Sequence, residues 1–144
     1  MMAQKALLFG DARVARDVIA VDGTGSGAMA QVKALGREVV GFDEEIWKRE
    51  REKIVLEGNL HKFRANPELK QRLLDTGERV FVEASPGDRI WGIGYAENRA
   101  LEDRSGWGSN LLGKVLGQTR RMLREEEALN TKKAREEEST PSVM

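Results

Sequence analysis

The sequence predicts an α+β fold, a mainly helical single domain that carries a small β-sheet. Most of the chain consists of runs of helix-forming residues separated by Gly, Asn and Pro, which begin or end helices. One short run, Val80–Val82, is instead β-branched and aromatic, the composition of a buried strand. The turn signal Ser85-Pro86-Gly87 follows it. At 144 residues the chain is most simply one domain.

The helices are predicted from their caps and from the spacing of their apolar residues. Asp11 and Asp43 are expected N-caps, and Pro67 stands near the first position of a helix. Gly58-Asn59 is expected to close the helix that follows Asp43. The predicted helical spans are 1–9, 12–21, 29–35, 44–57, 67–74 and 111–126.

Two stretches are predicted to lie outside these elements. Residues 23–27, Gly-Thr-Gly-Ser-Gly, lack the Gly-Lys-Ser/Thr ending of a phosphate loop, and no strand leads into them. A flexible linker is therefore the better interpretation. Residues 127–144 lose the apolar periodicity and are rich in Glu, which predicts a charged, disordered tail after a domain of residues 1–126.

The composition excludes several classes of function. Lys plus Arg and Asp plus Glu are each 24, so a zero net charge argues against non-specific binding to nucleic acid or to an anionic membrane. No cysteine and a single histidine, His61, argue against disulfides, thiolate zinc sites and a serine–histidine triad. The sequence shows no apolar run of about 18 residues and no leader, so a cytoplasmic protein is expected. Acid–base chemistry would then depend on carboxylates and lysines.

The segment after the predicted strand has the composition of a ligand site. It holds Asp88, Arg89, Trp91, Gly92 and Gly94. A carboxylate, a guanidinium and a large aromatic ring around permissive backbone favour a ligand site over a plain loop. A turn with an exposed Asp and a core Trp is the structural alternative. The amides that begin the last helix, near Ser109 and Asn110, are expected to seat an anion.

An ordered set of short motifs runs through residues 1–124. The motifs include Gln4-Lys5-Ala6, Leu35-Gly36-Arg37, Glu83-Ala84-Ser85-Pro86, Trp91-Gly92-Ile93-Gly94 and Asn110-Leu111-Leu112-Gly113. Together they closely resemble the NADAR family, the YbiA-like N-glycosidases. The resemblance implies a YbiA-like fold and a cytosolic hydrolase that cleaves an N-glycosidic bond without a metal or organic cofactor. Its substrate would be a phosphoribosylamino intermediate of riboflavin biosynthesis or an ADP-ribosylated base, with ADP-ribosylated nucleic acid as a possible partner.

The resemblance also implies site residues. Lys5 and Asp88 are the expected catalytic residues. Lys5 would form a Schiff base with an opened ribose or contact phosphate, and Asp88 would steady the ribose cation or orient water. The expected substrate-binding residues are Arg37, Trp91, Gly92 and Asn110. Both catalytic residues are expected to line one ribose-phosphate cleft.

Plainer interpretations of the same residues stay open. Lys5 could be a solvated helix residue, Arg37 a surface residue, Trp91 a core residue and Asn110 only a helix cap. The family pattern has further upstream strands and a Glu-His-Tyr segment with a catalytic carboxylate. Because the first helix runs from Met1 without a cap, we expect the chain to be truncated there. Two alternatives follow: a remnant that binds ribose phosphate without cleaving it, and a helical module whose tail recruits partners.

Overall fold

The computed structural model describes residues 1–139, and this part of the chain is helical with no strand. The helices are α1 (Met2–Leu8), α2 (Ala12–Ala20), α3 (Ser26–Arg37), α4 (Glu44–Ala65), α5 (Pro67–Asp75) and α6 (Leu111–Ser139). Two short 3₁₀ turns, Glu97–Arg99 and Arg104–Gly106, lie in the long connection before α6. None of the described helices is long and apolar enough to cross a membrane.

The predicted α+β class with a small β-sheet is therefore wrong. Residues 80–83 form no ladder, because no second segment among the described residues pairs with them. Their inward-facing backbone groups bond instead to the side chain of Asn110 and to the amide of Ile93. Strand propensity reports how well side chains fit a pleated surface, but a sheet also needs a neighbouring strand.

The chain divides into two compact units, Met1–Gly58 and the part from Asn59 onward. In the first unit, α1, α2 and the segment after α3 bury a small apolar core. Its buried members are Ala6, Val14, Ala15 and Val39, and Phe9, Val18 and Leu35 pack against them. The predicted domain boundary at residue 126 stays a prediction.

Both predicted aspartate caps are confirmed. Asp11 accepts hydrogen bonds from the amides of Val14 and Val40, each at 3.0 Å, so it caps α2 and also holds the segment after α3. Asp43 accepts one from the amide of Ile46 at 2.9 Å, at the start of α4. A carboxylate oxygen satisfies an amide that has no partner inside the helix, which is why these residues mark helix starts.

Three helices are longer than predicted. Helix α3 begins at Ser26, α4 continues through Gly58 to Ala65, and α6 continues past residue 126 to Ser139. Gly58 does not end α4 because the buried Leu60 and Phe63 extend its apolar face by another turn. Residues 140–144 of the predicted tail lie outside the described residues.

In the second unit, two arginines of α6 satisfy the end of α5 and the turn after it. Arg124 Nη2 donates to the carbonyl oxygens of Leu74 and Gly77 at 3.2 and 2.8 Å. Arg120 is 7% exposed, and its Nη1 donates to Thr76 Oγ1 at 2.7 Å and to the Arg79 carbonyl at 3.0 Å. A helix ends with carbonyl groups that lack partners, so these guanidinium groups fix α5 against α6.

Candidate functional site

In the first unit, the amine of Lys5 lies among aromatic rings. Its Nζ donates a hydrogen bond to the carbonyl oxygen of Gly36 at 2.7 Å. The same atom is 4.4 Å from the ring centroid of Phe42 and 5.7 Å from that of Trp47. The Phe42 ring is itself held edge-on by Phe9, with 5.3 Å between centroids. We call Lys5, Gly36, Phe42 and Trp47 the lysine niche.

The niche changes the ionisation of Lys5. The side chain is half-buried, and this burial lowers the pKa of its ammonium below the ordinary value of 10.5, because the charged form loses hydration. The Gly36 carbonyl and the ring faces replace part of the lost hydration. A lysine with a lowered pKa is the kind that acts as a nucleophile or base.

Arg37, the expected phosphate ligand, is the last residue of α3 and follows the carbonyl that binds Lys5. Its side chain is exposed and forms no hydrogen bond or ion pair with any residue that the structure describes. The first unit therefore brings Lys5 to the helix end that carries Arg37. The phosphate role of Arg37 stays a prediction.

In the second unit, Asp88 holds the bend before Trp91. Its Oδ1 accepts hydrogen bonds from the amides of Ile90 and Trp91 at 2.9 and 2.8 Å. Its Oδ2 accepts none from the described part of the chain, and the residue is half-buried. One oxygen thus fixes the carboxylate while the other is available to a ligand.

The loop that carries Trp91 is bonded to the start of α6 through successive backbone groups. The carbonyl oxygens of residues 89–93 accept hydrogen bonds from the amides of residues 108–112, at 2.8 to 3.1 Å. These bonds use the amides of Ser109 and Asn110 that were expected to seat an anion. That expectation is wrong because loop carbonyls already satisfy these donors.

Gly92 and Trp91 occupy the middle of this loop. The Trp91 carbonyl accepts from Leu112 N, the Gly92 carbonyl accepts from Asn110 N, and the Trp91 side chain is half-buried. A Cβ at Gly92 would lie 2.8 Å from the carbonyl oxygens of both Asp88 and Glu83. Close backbone packing therefore requires glycine here, and contact of either residue with substrate stays a prediction.

Asn110 is 7% exposed, and both ends of its side-chain amide bond to backbone. Its Nδ2 donates to the Phe81 carbonyl at 2.9 Å, and its Oδ1 accepts from the Glu83 amide at 3.0 Å. The residue has φ of 48°, in the left-handed region that asparagine tolerates better than most residues. Its side chain organises residues 81–83, and its expected role in substrate binding stays a prediction.

Two features of the candidate sites are absent from the sequence-based set. Phe42 forms the nearest ring of the lysine niche, and Trp47 forms the next. In the sequence, Phe42 directly precedes the cap Asp43 and Trp47 lies in the first turn of α4, and aromatic residues near a helix start are too common to single out. The second unit also has a cleft of about 410 Å³ that Trp107, Gly113, Lys114 and Gly117 help to line. Among the described residues, no three His, Asp or Glu side chains lie close enough to hold a metal ion.

Comparison with known proteins gives several similar sequences. An N-glycosidase of Acanthamoeba polyphaga mimivirus is 46% identical over 118 residues, which cover 81% of this chain and 66% of that protein. Protein irg-1 of Caenorhabditis elegans is 35% identical over 126 residues, or 85% and 57% of the two chains. An N-glycosidase of Nostoc punctiforme is 34% identical over 94 residues, or 65% and 54%. The chain thus spans about half to two thirds of the length of these relatives.

The resemblance that the short motifs indicated is confirmed at the level of the family. The NADAR domain matches residues 1–124, which include both the lysine niche and the Asp88–Trp91 bend. On this match the chain belongs to the NADAR domain family.

Proposed function

We propose that this chain is an N-glycosidase, a hydrolase that cleaves the N-glycosidic bond of a phosphoribosyl- or ADP-ribosyl-bearing substrate. Two similar proteins are named N-glycosidases. The single observation that carries the proposal is the half-buried amine of Lys5, held by the Gly36 carbonyl with a lowered pKa. A cytoplasmic location fits such an enzyme and belongs to the same proposal.

The chemistry assigned to Lys5 is attack on the anomeric carbon. Once the ribosylamine ring opens to its imine, the neutral amine adds to C1 and forms a new C1–N bond. The bond from C1 to the departing nitrogen then breaks, and that nitrogen keeps the electron pair and takes a proton. Water next adds to the lysine Schiff base, releases the ribose aldehyde and restores the amine. The Gly36 carbonyl orients the amine by accepting its hydrogen bond.

The remaining roles follow from the chemistry of each side chain. Asp88 would orient water or steady positive charge at C1 through Oδ2. The guanidinium of Arg37 suits phosphate, because its donors match two phosphate oxygens. The flat face of Trp91 suits a nucleobase or a flavin-precursor ring. Gly92 would allow the close approach of a ligand to backbone, and the substrate contact of Asn110 would complete the set.

The test for Lys5 is borohydride trapping. We expect the chain, incubated with a phosphoribosylamino-pyrimidine or an ADP-ribosylated nucleobase, to release the ribose phosphate and to gain a reduced ribosyl adduct on Lys5. Lys5→Met should lose the adduct and at least about a hundredfold in turnover, the scale of a single catalytic group. Lys33→Met, at an exposed position of α3, is the matched control and should change neither. Full turnover by Lys5→Met would remove Lys5 from the mechanism.

Asp88→Asn tests the carboxylate separately. The amide keeps an oxygen that can accept from Ile90 N and Trp91 N, so the bend and the melting temperature should be preserved. The charge is lost, so we expect kcat to fall by about a hundredfold or more. An unchanged kcat would leave Asp88 with only its role in the bend.

Ligand binding separates this proposal from a non-catalytic remnant. A chain that binds ADP-ribose should gain thermal stability by mass action, about 2.7 kcal/mol at a hundred times Kd. Stabilisation without turnover of either substrate would make the chain a binding remnant. Neither stabilisation nor turnover would favour the helical interaction module.

A further inference from the structure

Residues 79–83 of the second unit, Arg-Val-Phe-Val-Glu, bond to the rest of the protein along one edge only. The carbonyl oxygens of Arg79, Phe81 and Glu83 accept from Arg120 Nη1, Asn110 Nδ2 and Ile93 N, and the Glu83 amide donates to Asn110 Oδ1. The backbone groups of Val80 and Val82 bond to no described residue. The carbonyl oxygens of alternate residues are thus paired, although the Phe81 N–H has no described partner. This alternation is the pattern of an extended strand with most of one edge satisfied.

The unpaired edge is exposed at Val80 and half-buried at Val82. Val80 is 78% exposed, and its own N–H and C=O lie on the same edge as those of Val82. An extended segment with a free row of donors and acceptors is a template for another strand. The segment also has the composition from which a strand was expected, so it lacks only a partner.

We propose that this edge pairs with the same edge of a second copy of the chain, antiparallel and centred on Phe81. In this register Val80 of each copy lies opposite Val82 of the other. Each such pair exchanges two N–H···O=C hydrogen bonds, so the four backbone groups of Val80 and Val82 on each copy are all satisfied. Residue 81 then faces its counterpart as a non-hydrogen-bonded pair, which agrees with its carbonyl being used by Asn110.

The charges at the ends of the segment favour a second copy over other strands. In the same register, Arg79 of one copy lies directly opposite Glu83 of the other, and this pair occurs twice. Only the Nε of Arg79 is engaged, with the Thr76 carbonyl at 3.1 Å, so its terminal nitrogens can reach the carboxylate. A one-residue slip would set Val80 opposite Phe81, whose carbonyl faces the other edge, and a parallel arrangement would place Arg79 beside Arg79.

The interface between the two paired segments, which we call the seam, is small. Its size sets the expected stability of the dimer. Stable interfaces bury about 1,200–2,000 Å². A single two-stranded seam of five residues covers less, so the dimer should form reversibly and dissociate on dilution. Sedimentation equilibrium over a wide range of chain concentration should therefore show a monomer–dimer equilibrium.

Val82→Pro tests the backbone pairing. The Val82 N–H has no partner within the described chain, so its loss should leave the helical circular dichroism and the melting temperature unchanged. Proline removes two of the four seam hydrogen bonds and blocks the close approach of a second strand, so dimerisation should weaken at least a hundredfold. Val82→Thr keeps the N–H and is the matched control, which should dimerise like the parent chain.

Charge reversal tests the register. Arg79→Glu or Glu83→Arg alone places like charges opposite each other twice and should weaken the dimer by about tenfold. The double variant, Arg79→Glu with Glu83→Arg, restores both opposite pairs and should recover the parent dimer. A dimer on another surface would not show this recovery.

A cysteine pair gives an independent measure of the same register. The chain has no cysteine, so Arg79→Cys and Glu83→Cys each introduce a single thiol. Non-hydrogen-bonded antiparallel pairs have Cα atoms about 4.5 Å apart, within disulfide range. Mixed and oxidised, the two variants should cross-link to each other, whereas Arg79→Cys mixed with Val82→Cys should not. A monomer at every concentration, a dimer that survives Val82→Pro, or a charge swap without recovery would overturn the proposal.

Discussion

At Asn110, one side-chain amide takes the place of a peptide group from a neighbouring strand. It donates to Phe81 and accepts from Glu83, residues 29 and 27 positions away along the chain. The sequence predicts such a residue as a helix cap, because capping depends on local spacing alone. The caps at Asp11 and Asp43 were predictable for that reason, whereas the distant partners of Asn110 were not.

Two substitutions separate the hydrogen bonds of Asn110 from its backbone strain. Asn110→Gly loses both side-chain hydrogen bonds but adopts the observed φ freely. We therefore expect the free energy of unfolding to fall by about 1–3 kcal/mol. Asn110→Ala loses the same hydrogen bonds and must also adopt a left-handed backbone conformation, which should lower the free energy of unfolding by about 1–2 kcal/mol more. Urea denaturation measures both. Equal stability of the alanine variant and the parent chain would contradict a structural role.

The lysine niche was only half predictable from the sequence. Lys5 emerged from the family resemblance, yet the pattern could not supply its surroundings. Phe42 lies between α3 and α4, and only the folding of α1 against that connection brings its ring to 4.4 Å from Nζ. The lowered pKa is a property of this packing, which propensity and spacing do not encode.

Helix α6 approaches the extended segment at Gly113. A Cβ there would overlap the Phe81 carbonyl oxygen and the side-chain amide of Asn110, while one at Gly117 meets nothing within 4 Å. The two glycines are one helical turn apart, so they make a matched pair.

Gly113→Ala should therefore destabilise the chain, because neither backbone nor a buried amide can move aside cheaply. Overpacking of this kind costs about 1–3 kcal/mol. Gly117→Ala should instead stabilise by about 0.5–1 kcal/mol, the helix propensity gain alone. Thermal and urea melts of both variants decide the matter. Equal effects of the two substitutions would contradict a close approach at Gly113.

Which helices form was easier to predict from the sequence than where each helix ends. The helices begun by caps or by Pro67 were found, because those signals are local. The predicted end at Gly58 failed because tertiary burial of Leu60 and Phe63 outweighs the small cost of glycine in a helix. The predicted strand at Val80–Val82 was wrong for a related reason, because a strand needs a second strand to pair with.

Across the whole molecule, several carboxylates depend on hydrogen bonds that only the ionised form receives fully. The Val14 and Val40 amides lower the pKa of Asp11, and the Ser105 hydroxyl and the Gly106 amide lower that of Asp103. The guanidinium of Arg64, near the end of α4, lowers the pKa of Glu126 in α6. All three groups therefore hold fewer protons in the folded chain than in the unfolded one.

Acid should consequently destabilise the fold. These carboxylates contribute fully to the stability of the folded chain above their ordinary pKa values of 3.8 and 4.5. That contribution is lost as pH falls through the lower pKa values of the folded chain. We expect the urea midpoint to stay level above about pH 5 and to fall as the pH is lowered further. Asp11→Asn removes one titrating group, so its pH dependence should be shallower than that of the parent. A midpoint independent of pH would contradict this assignment.

The bonds between residues 89–93 and 108–112 also have a mechanical consequence. Trp91 cannot shift with its loop unless those bonds break or the first turn of α6 moves with it. The contacts of Arg120 and Arg124 with the end of α5 and the turn after it hold α6 farther along its length. A ligand that moved the backbone of Trp91 would therefore strain the first turn of α6 rather than carry the whole helix with it.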